Sequence, residues 1–255
     1  MGPRDPDEEH RTATPLELFF DLCFVVAVAQ AANSLHHGLV EGHTGAALTG
    51  YLMVFFAIWW AWMNFTWFAS AYDVDDVPYR LAVLVQIAGV LILAAGVPRA
   101  FDSRDFGVGV AGYVVMRTAL IGQWLRASRG HPECRRTALR YAAGVGACQA
   151  GWVLLLAVPE GWRPLGWILF VPAELAVPLW AERAGATPWH PRHIAERYGL
   201  FTIIVLGECV LAASVAVQSA IDAGGAGRVA PVAVGGLLIV FAMWWAYFDM
   251  PTELV

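Results

Sequence analysis

The chain has no lysine: all sixteen of its basic residues are arginine, which we read as codon usage rather than function. It also has no Walker A loop, Rossmann glycine fingerprint, HExxH or GxSxG sequence, so no familiar soluble catalytic plan is offered. Only four cysteines occur, at 23, 134, 148 and 209, without a CxxC pair, which excludes a disulfide framework or a cysteine metal knuckle. The first fourteen residues are polar and mix Arg4 and Arg11 with Asp5, Asp7, Glu8 and Glu9, so no basic segment leads into a short apolar core and no cleavable signal peptide is expected. A net charge of −5 argues against nucleic acid as a partner.

What the chain has in abundance is apolar length. Hydrophobic residues make up 58% of it and the mean hydropathy is +0.57. Its apolar stretches repeatedly reach the ~20 residues that a helix needs to cross about 30 Å of hydrocarbon. The expected fold is therefore an all-α, polytopic transmembrane bundle, with the lipid bilayer as its first partner. Eight spans are predicted, at 16–36, 46–71, 78–98, 106–126, 138–158, 163–181, 192–221 and 229–250, in one transmembrane domain from 15 to 255 behind a polar tail at 1–14. With the N-terminus inside, one side of the membrane receives Arg4, Arg11, Arg80, Arg126, Arg129, Arg135, Arg136, Arg140, Arg183, Arg192 and Arg197. The other receives Arg99, Arg104, Arg163 and Arg228. That asymmetry predicts both termini on the cytoplasmic side of a bacterial inner membrane.

Three charges lie near the centres of apolar runs: Arg117 in span four, Glu174 in span six and Glu208 in span seven. Each costs about 2.5–3.5 kcal/mol at the middle of a membrane helix on insertion scales, so such groups are expected to face one another or water. Pro172 and Pro178 flank Glu174, and a helix broken at a charge is a recurring device in transporter binding sites. Gln30, Gln86 and Gln149 add neutral polar groups at similar depth. Two readings stay open: a buried pair that only fixes helix packing, or the centre of a pathway for a small solute, ion or proton.

A second polar set maps to the predicted cytoplasmic helix ends: Glu17, Asp21, Asn64, Asp73, Asp75, Asp76, Arg80, His193, Glu196, Arg197 and Asp249. It could line a vestibule, or simply be the polar ends of membrane helices. Thr14-Pro15-Leu16-Glu17 reads as a capping box with proline at the first helical position, and Asp21 lies one turn deeper on the same face as Glu17. Asp73-Val74-Asp75-Asp76 before Pro78 fits helix-start chemistry. Its clustered oxygens would also suit Mg²⁺ held against a diphosphate. No other cofactor is expected. His36, His37, Glu41 and His43 in the loop after span one could bind a transition metal, although neighbouring histidines on a helix point apart. The twelve tryptophans, with Trp59, Trp60, Trp62 and Trp67 on span two, are read as interfacial anchors and packing.

Span two carries Phe56-Ala57-Ile58-Trp59-Trp60-Ala61-Trp62 and span eight Phe241-Ala242-Met243-Trp244-Trp245-Ala246-Tyr247, identical at five of seven positions. An offset of six spans keeps both in one orientation, as in parallel transporter repeats. Two full copies would need about twelve spans, so a shortened second copy is expected.

Four separated motifs occur in order: Thr14-Pro15-Leu16-Glu17-Leu18-Phe19-Phe20-Asp21-Leu22, Trp59-Trp60-Ala61-Trp62, Tyr72-Asp73-Val74-Asp75-Asp76-Val77-Pro78-Tyr79-Arg80, and His193 through Glu208 with Glu196-Arg197-Tyr198-Gly199-Leu200-Phe201 at its start. Together they resemble the bacterial low-temperature-requirement protein A family. The resemblance implies a multi-pass inner-membrane protein associated with growth at low temperature, usually longer than this chain, with serine commonly at the place of Cys209. It carries a class rather than a chemistry. Three functions remain open on these residues. They are a transporter-like or permease-like protein with Arg117, Glu174 and Glu208 at mid-membrane, a membrane-embedded enzyme using Mg²⁺ with Asp73, Asp75 and Asp76 on a lipid or isoprenoid diphosphate, and a non-catalytic membrane protein.

Overall fold

The computed structural model describes residues 1–5, 8, 11–222 and 226–249, apart from the side chains of Asp102 and residues 226–228. Asp7, Glu9 and the Arg228 side chain, which enter the charge pattern, and everything after Asp249 lie outside the described residues. The long elements are all helices: α1 Pro15–Val40, α2 Thr44–Tyr72, α3 Val77–Asp102, α4 Gly107–Gly130, α5 Arg135–Leu156, α6 Arg163–Glu182, α7 Pro191–Asp222 and α8 Ala226–Phe248. A single 3-10 turn, Glu160–Trp162, leads into α6. All eight helices are long and apolar enough to cross a membrane, and each overlaps a span expected from the sequence. Hydrocarbon offers the backbone no hydrogen bonds, which is why such segments must satisfy their own as helices.

The helix starts follow the local sequence. Thr14 accepts from the Glu17 amide at 3.3 Å while Glu17 accepts from the Thr14 amide at 2.8 Å, completing the capping box of α1. Asp76 caps α3 by accepting from the Tyr79 amide at 2.9 Å, with Pro78 in the first turn. One expectation is corrected. The structure runs α6 as one continuous helix through Pro172 and Pro178, so Glu174 sits in an intact helix and not at a break. Each proline forgoes one backbone hydrogen bond, a loss that membrane helices tolerate.

The helices fall into two compact units, Met1–His190 and Pro191–Val255. In the first, short loops join α1 to α6 as successive antiparallel neighbours. One end of this unit, the tail end, holds the described residues before α1, the C-terminus of α2 and the N-terminus of α3. The far end holds the start of α2 and the end of α3. Helix α2 carries much of the core, with Ile58, Trp62, Phe65 and Phe68 fully buried. Helices α3 and α4 cross closely, a feature that sequence reasoning passed over: a Cβ on Gly112 would lie 2.6 Å from both the Gly89 carbonyl oxygen and the Leu93 nitrogen. Apolar side chains gain little by leaving lipid for protein, so close backbone packing of this kind carries much of the association energy. Leucines and isoleucines such as Leu22, Leu52, Leu81, Leu154, Ile168 and Leu169 point outward, as a lipid-facing surface requires.

The second unit is a hairpin of α7 and α8. The two pack where a Cβ on Gly236 would come within 2.9 Å of the Ala213 Cβ. Its outward residues, among them Leu211, Val215, Leu238 and Ile239, are again apolar.

Candidate functional site

Arg117 on α4 and Glu174 on α6, singled out from sequence as charges without an excuse, meet in the first unit. Arg117 Nη2 lies 3.0 Å from Glu174 Oε2, and each residue is 2% exposed. The carboxylate also accepts from Trp60 Nε1 at 2.9 Å and from Trp152 Nε1 at 3.1 Å. Three of the roughly four acceptor positions of a carboxylate are thereby filled. On the other side the guanidinium lies over the Tyr113 ring at 5.3 Å, and the Tyr113 hydroxyl donates to the Ala57 carbonyl. Arg117 Nη1 is buried with no hydrogen-bond partner among the described residues. A charge pair in such surroundings holds only because attraction and hydrogen bonding together offset the desolvation of both ions.

Two cavities meet Trp60, the indole that reaches Glu174. The far-end cavity, of about 80 Å³, is lined by Val54 and Ala57 in the first half of α2, Tyr113 in the first half of α4, Trp152 in the second half of α5, and Trp167 and Glu174 on α6. The tail-end cavity, of about 260 Å³, is lined by Asn64 and Trp67 in the second half of α2, Trp124 late in α4, Tyr141 early in α5, Glu182 at the end of α6, and Trp189 in the loop after it. Because the helices alternate in direction, these two sets lie at opposite ends of the bundle. Trp60 borders both cavities, and its indole N–H is anchored on Glu174.

Sequence reasoning treated the tryptophans as packing and so missed the donors. Trp60 reaches Glu174, and Trp62 two residues on reaches Asp21 of α1 at 2.6 Å, so Trp60-Ala61-Trp62 serves two buried carboxylates on different helices. Indole N–H groups are neutral donors that lipid cannot satisfy, and buried acids are where they find acceptors. The signal available in sequence was the co-occurrence of uncompensated acids and tryptophans in one apolar chain.

At the tail end the polar set divides. Arg11 is buried and donates to the carbonyls of Ser70 at 2.8 Å and Ala69 at 2.7 Å, so it closes the C-terminus of α2, with Glu17 Oε1 3.9 Å away. A cation on the last carbonyls of a helix also complements its dipole. Burial lowers the pKa of Arg11 from its ordinary value. Glu17, Asp21 and Asp73 are buried beside this closure, and burial together with Glu17 pushes the Asp73 carboxyl up. Asp75 and Asp76 are committed elsewhere. Asp75 pairs with Arg80 through two contacts of 2.7 Å, which lowers its pKa. Asp76 pairs with Arg126, whose Nη1 lies 2.8 Å from Oδ1, and that hydrogen bonding holds its pKa down to about 2. Asp73 accepts from the Asp75 amide at 3.0 Å. Each of the three acids thus has its own protein partner, and among the described residues no three histidine, cysteine or acidic side chains converge as a metal would need, the His36–His43 loop included. Asn64 donates to the Trp60 carbonyl at 2.6 Å and lines the tail-end cavity.

The remaining candidates belong to the second unit. His193 and Arg197 are buried near the start of α7, with Glu196 half-buried between them. Glu208 is half-buried midway along α7, and Asp249 accepts from Trp245 Nε1 at 3.1 Å just after α8.

Eight membrane-length helices, six of them in the unit that holds a buried, aromatic-bound ion pair, define a multi-pass helical membrane protein. The model of the bacterial low temperature requirement A protein (LtrA) family matches residues 12–255, and the chain belongs to that family. It is 29% identical over 255 residues to Uncharacterized protein RA0937 of Rhizobium meliloti (strain 1021), a match that covers 96% of this chain and 60% of that one. The chain therefore spans about three fifths of the length of that curated relative. No solved structure matches.

Proposed function

We propose that the first unit conducts a small solute, ion or proton in a transporter-like manner, with Arg117 and Glu174 at the centre of the path. The observation that carries this reading is that cavities at opposite ends of the bundle both end on Trp60, whose donor is held by the buried pair. Alternating access needs a central constriction of this kind, with groups that can exchange partners when one side opens. The arginine asymmetry supports the tail end as the cytoplasmic side of a bacterial inner membrane. Likeness between the sequences of α2 and α8 supports reading them as corresponding parts of a parallel repeat. No structural observation favours the diphosphate enzyme, because its three acids are each engaged by protein partners.

The test is efflux from proteoliposomes loaded with a defined mixture of amino acids, organic acids, amines and sugars, read by mass spectrometry of the vesicle contents. At least one solute is expected to leave faster than from protein-free vesicles, and Glu174→Gln is expected to abolish the difference. Retention equal to that of protein-free vesicles across the whole mixture would remove the proposal.

A further inference from the structure

The tail-end cavity has a chemistry of its own. Four tryptophans and a tyrosine, Trp60, Trp67, Trp124, Trp189 and Tyr141, form its walls, and Glu182 supplies a carboxylate. The walls are fixed by one another: Tyr141 stacks on Trp124 with ring centroids 4.2 Å apart, and Trp189 packs on Trp67 at 4.8 Å. The loop carrying Trp189 is tied down where the His190 amide donates to Ser70 Oγ at 2.9 Å.

Glu182 differs from Glu174, Asp75 and Asp76 in how its charge is met. It accepts from the Tyr141 hydroxyl at 2.9 Å, the Thr187 amide at 2.8 Å and the Thr187 hydroxyl at 2.8 Å, all neutral donors. Glu174 has Arg117, Asp75 has Arg80 and Asp76 has Arg126, but among the described residues no cationic side chain pairs with Glu182. Arg140 on α5 turns to the Trp180 carbonyl at 3.1 Å and lies over the Trp180 ring. Hydrogen bonds orient this carboxylate without neutralising it. The Trp67 ring is one of the walls, while its Nε1 is buried without a partner among the described residues.

Aromatic faces attract cations through the negative potential of their π-systems, most strongly for Trp, and cages of this type recognise methylated ammonium groups that have no hydrogen bond to give. At about 260 Å³ the space holds far more than the ~30 Å³ share of one water, which is room for a small organic cation with its methyl groups. We propose that the tail-end cavity is a binding site for a small methylated ammonium compound, with the aromatic walls enclosing the cation and Glu182 supplying the countercharge. The inference stands whether or not the ligand is carried across the membrane, since it concerns occupancy alone.

The experiment measures radiolabelled choline bound to the full chain in lipid nanodiscs, in competition with unlabelled choline, with tetramethylammonium and with 3,3-dimethyl-1-butanol, the neutral carbon analogue of choline. Saturable binding is expected, with choline displacing label at least about tenfold better than the neutral analogue. Glu182→Gln and Trp67→Leu are each expected to weaken binding by about tenfold, and Trp67→Phe, which keeps an aromatic face, by much less. Equal competition by the neutral analogue, binding untouched by both Glu182→Gln and Trp67→Leu, or no saturable choline binding would each overturn the assignment. The comparison of ligands needs no variant, so a misfolded substitution does not blunt it. Choline bound without flux of any solute would count against the transport reading alone, and solute flux without choline binding against this one alone.

Discussion

Arg117→Met is expected to destabilise the protein by about 3–5 kcal/mol, the range found when one partner of a buried ion pair is removed. The magnitude comes from what remains. Glu174 would be left buried among Trp60, Trp152 and the apolar wall of the far-end cavity, with two indole donors but no cation. Glu174→Gln is expected to cost a similar amount by stranding the guanidinium, although the amide oxygen still accepts from an indole. The double variant, Arg117→Met with Glu174→Gln, is expected to recover most of the loss, because no buried charge is left. Midpoints of thermal unfolding in detergent, followed by circular dichroism, check all three. If the two single losses simply add in the double variant, the pair is not the energetic unit described here. The recovered double variant also serves the flux measurement: folded but uncharged at its centre, it is expected to stay inactive.

Gly112→Leu is expected to abolish the folded bundle, and even Gly112→Ala to lower its stability by about 1–3 kcal/mol, as overpacking does. The Cβ would meet backbone atoms of Gly89 and Leu93 on α3, which cannot rotate away as a side-chain tip can. The two helices would have to separate along a crossing where close approach is itself the attraction. Gly122→Ala on the same helix is the control. A Cβ there has no atom within 4 Å, so the change is expected to be neutral or slightly stabilising by helix propensity. Monodispersity on size exclusion together with unfolding midpoints separates the two cases, and equal behaviour at 112 and 122 would contradict the crossing.

The eight helices were legible because membrane spanning leaves a long, one-dimensional signal in apolar length, and the caps at Thr14 and Asp76 because they depend only on local sequence. Arg117 and Glu174 were legible as costs, since a charge in an apolar run must have a partner. Their partners were less so. Nothing in the spacing says that Trp60 and Trp62 turn to different helices, because that depends on how α1 and α6 flank α2. Arg11 lay hidden in a polar tail that composition alone reads as solvent-facing, yet its target, the carbonyl end of α2, appears only once the tail is folded back. The acidic turn was legible only as three nearby carboxylates; that two of them are held by Arg80 and Arg126, the latter fifty residues away in sequence, shows only in the fold. Glu182 and the aromatic cavity around it drew no notice, since a glutamate at a helix end is ordinary in sequence and its lack of a countercharge is visible only in three dimensions.

The account rests on two water-reachable cavities that approach from opposite ends and stop at Trp60. Single cysteines placed at Ala57 and Asn64, in a background where Cys23, Cys134, Cys148 and Cys209 are replaced, can be treated with a membrane-impermeant thiol reagent in sealed vesicles of either orientation. Modification at 64 from the face that carries the N-terminal tail, and at 57 only from the opposite face, is the expected result. If both cysteines react from the same face, or neither reacts until the protein is unfolded, the partition at Trp60 and the path built on it are wrong.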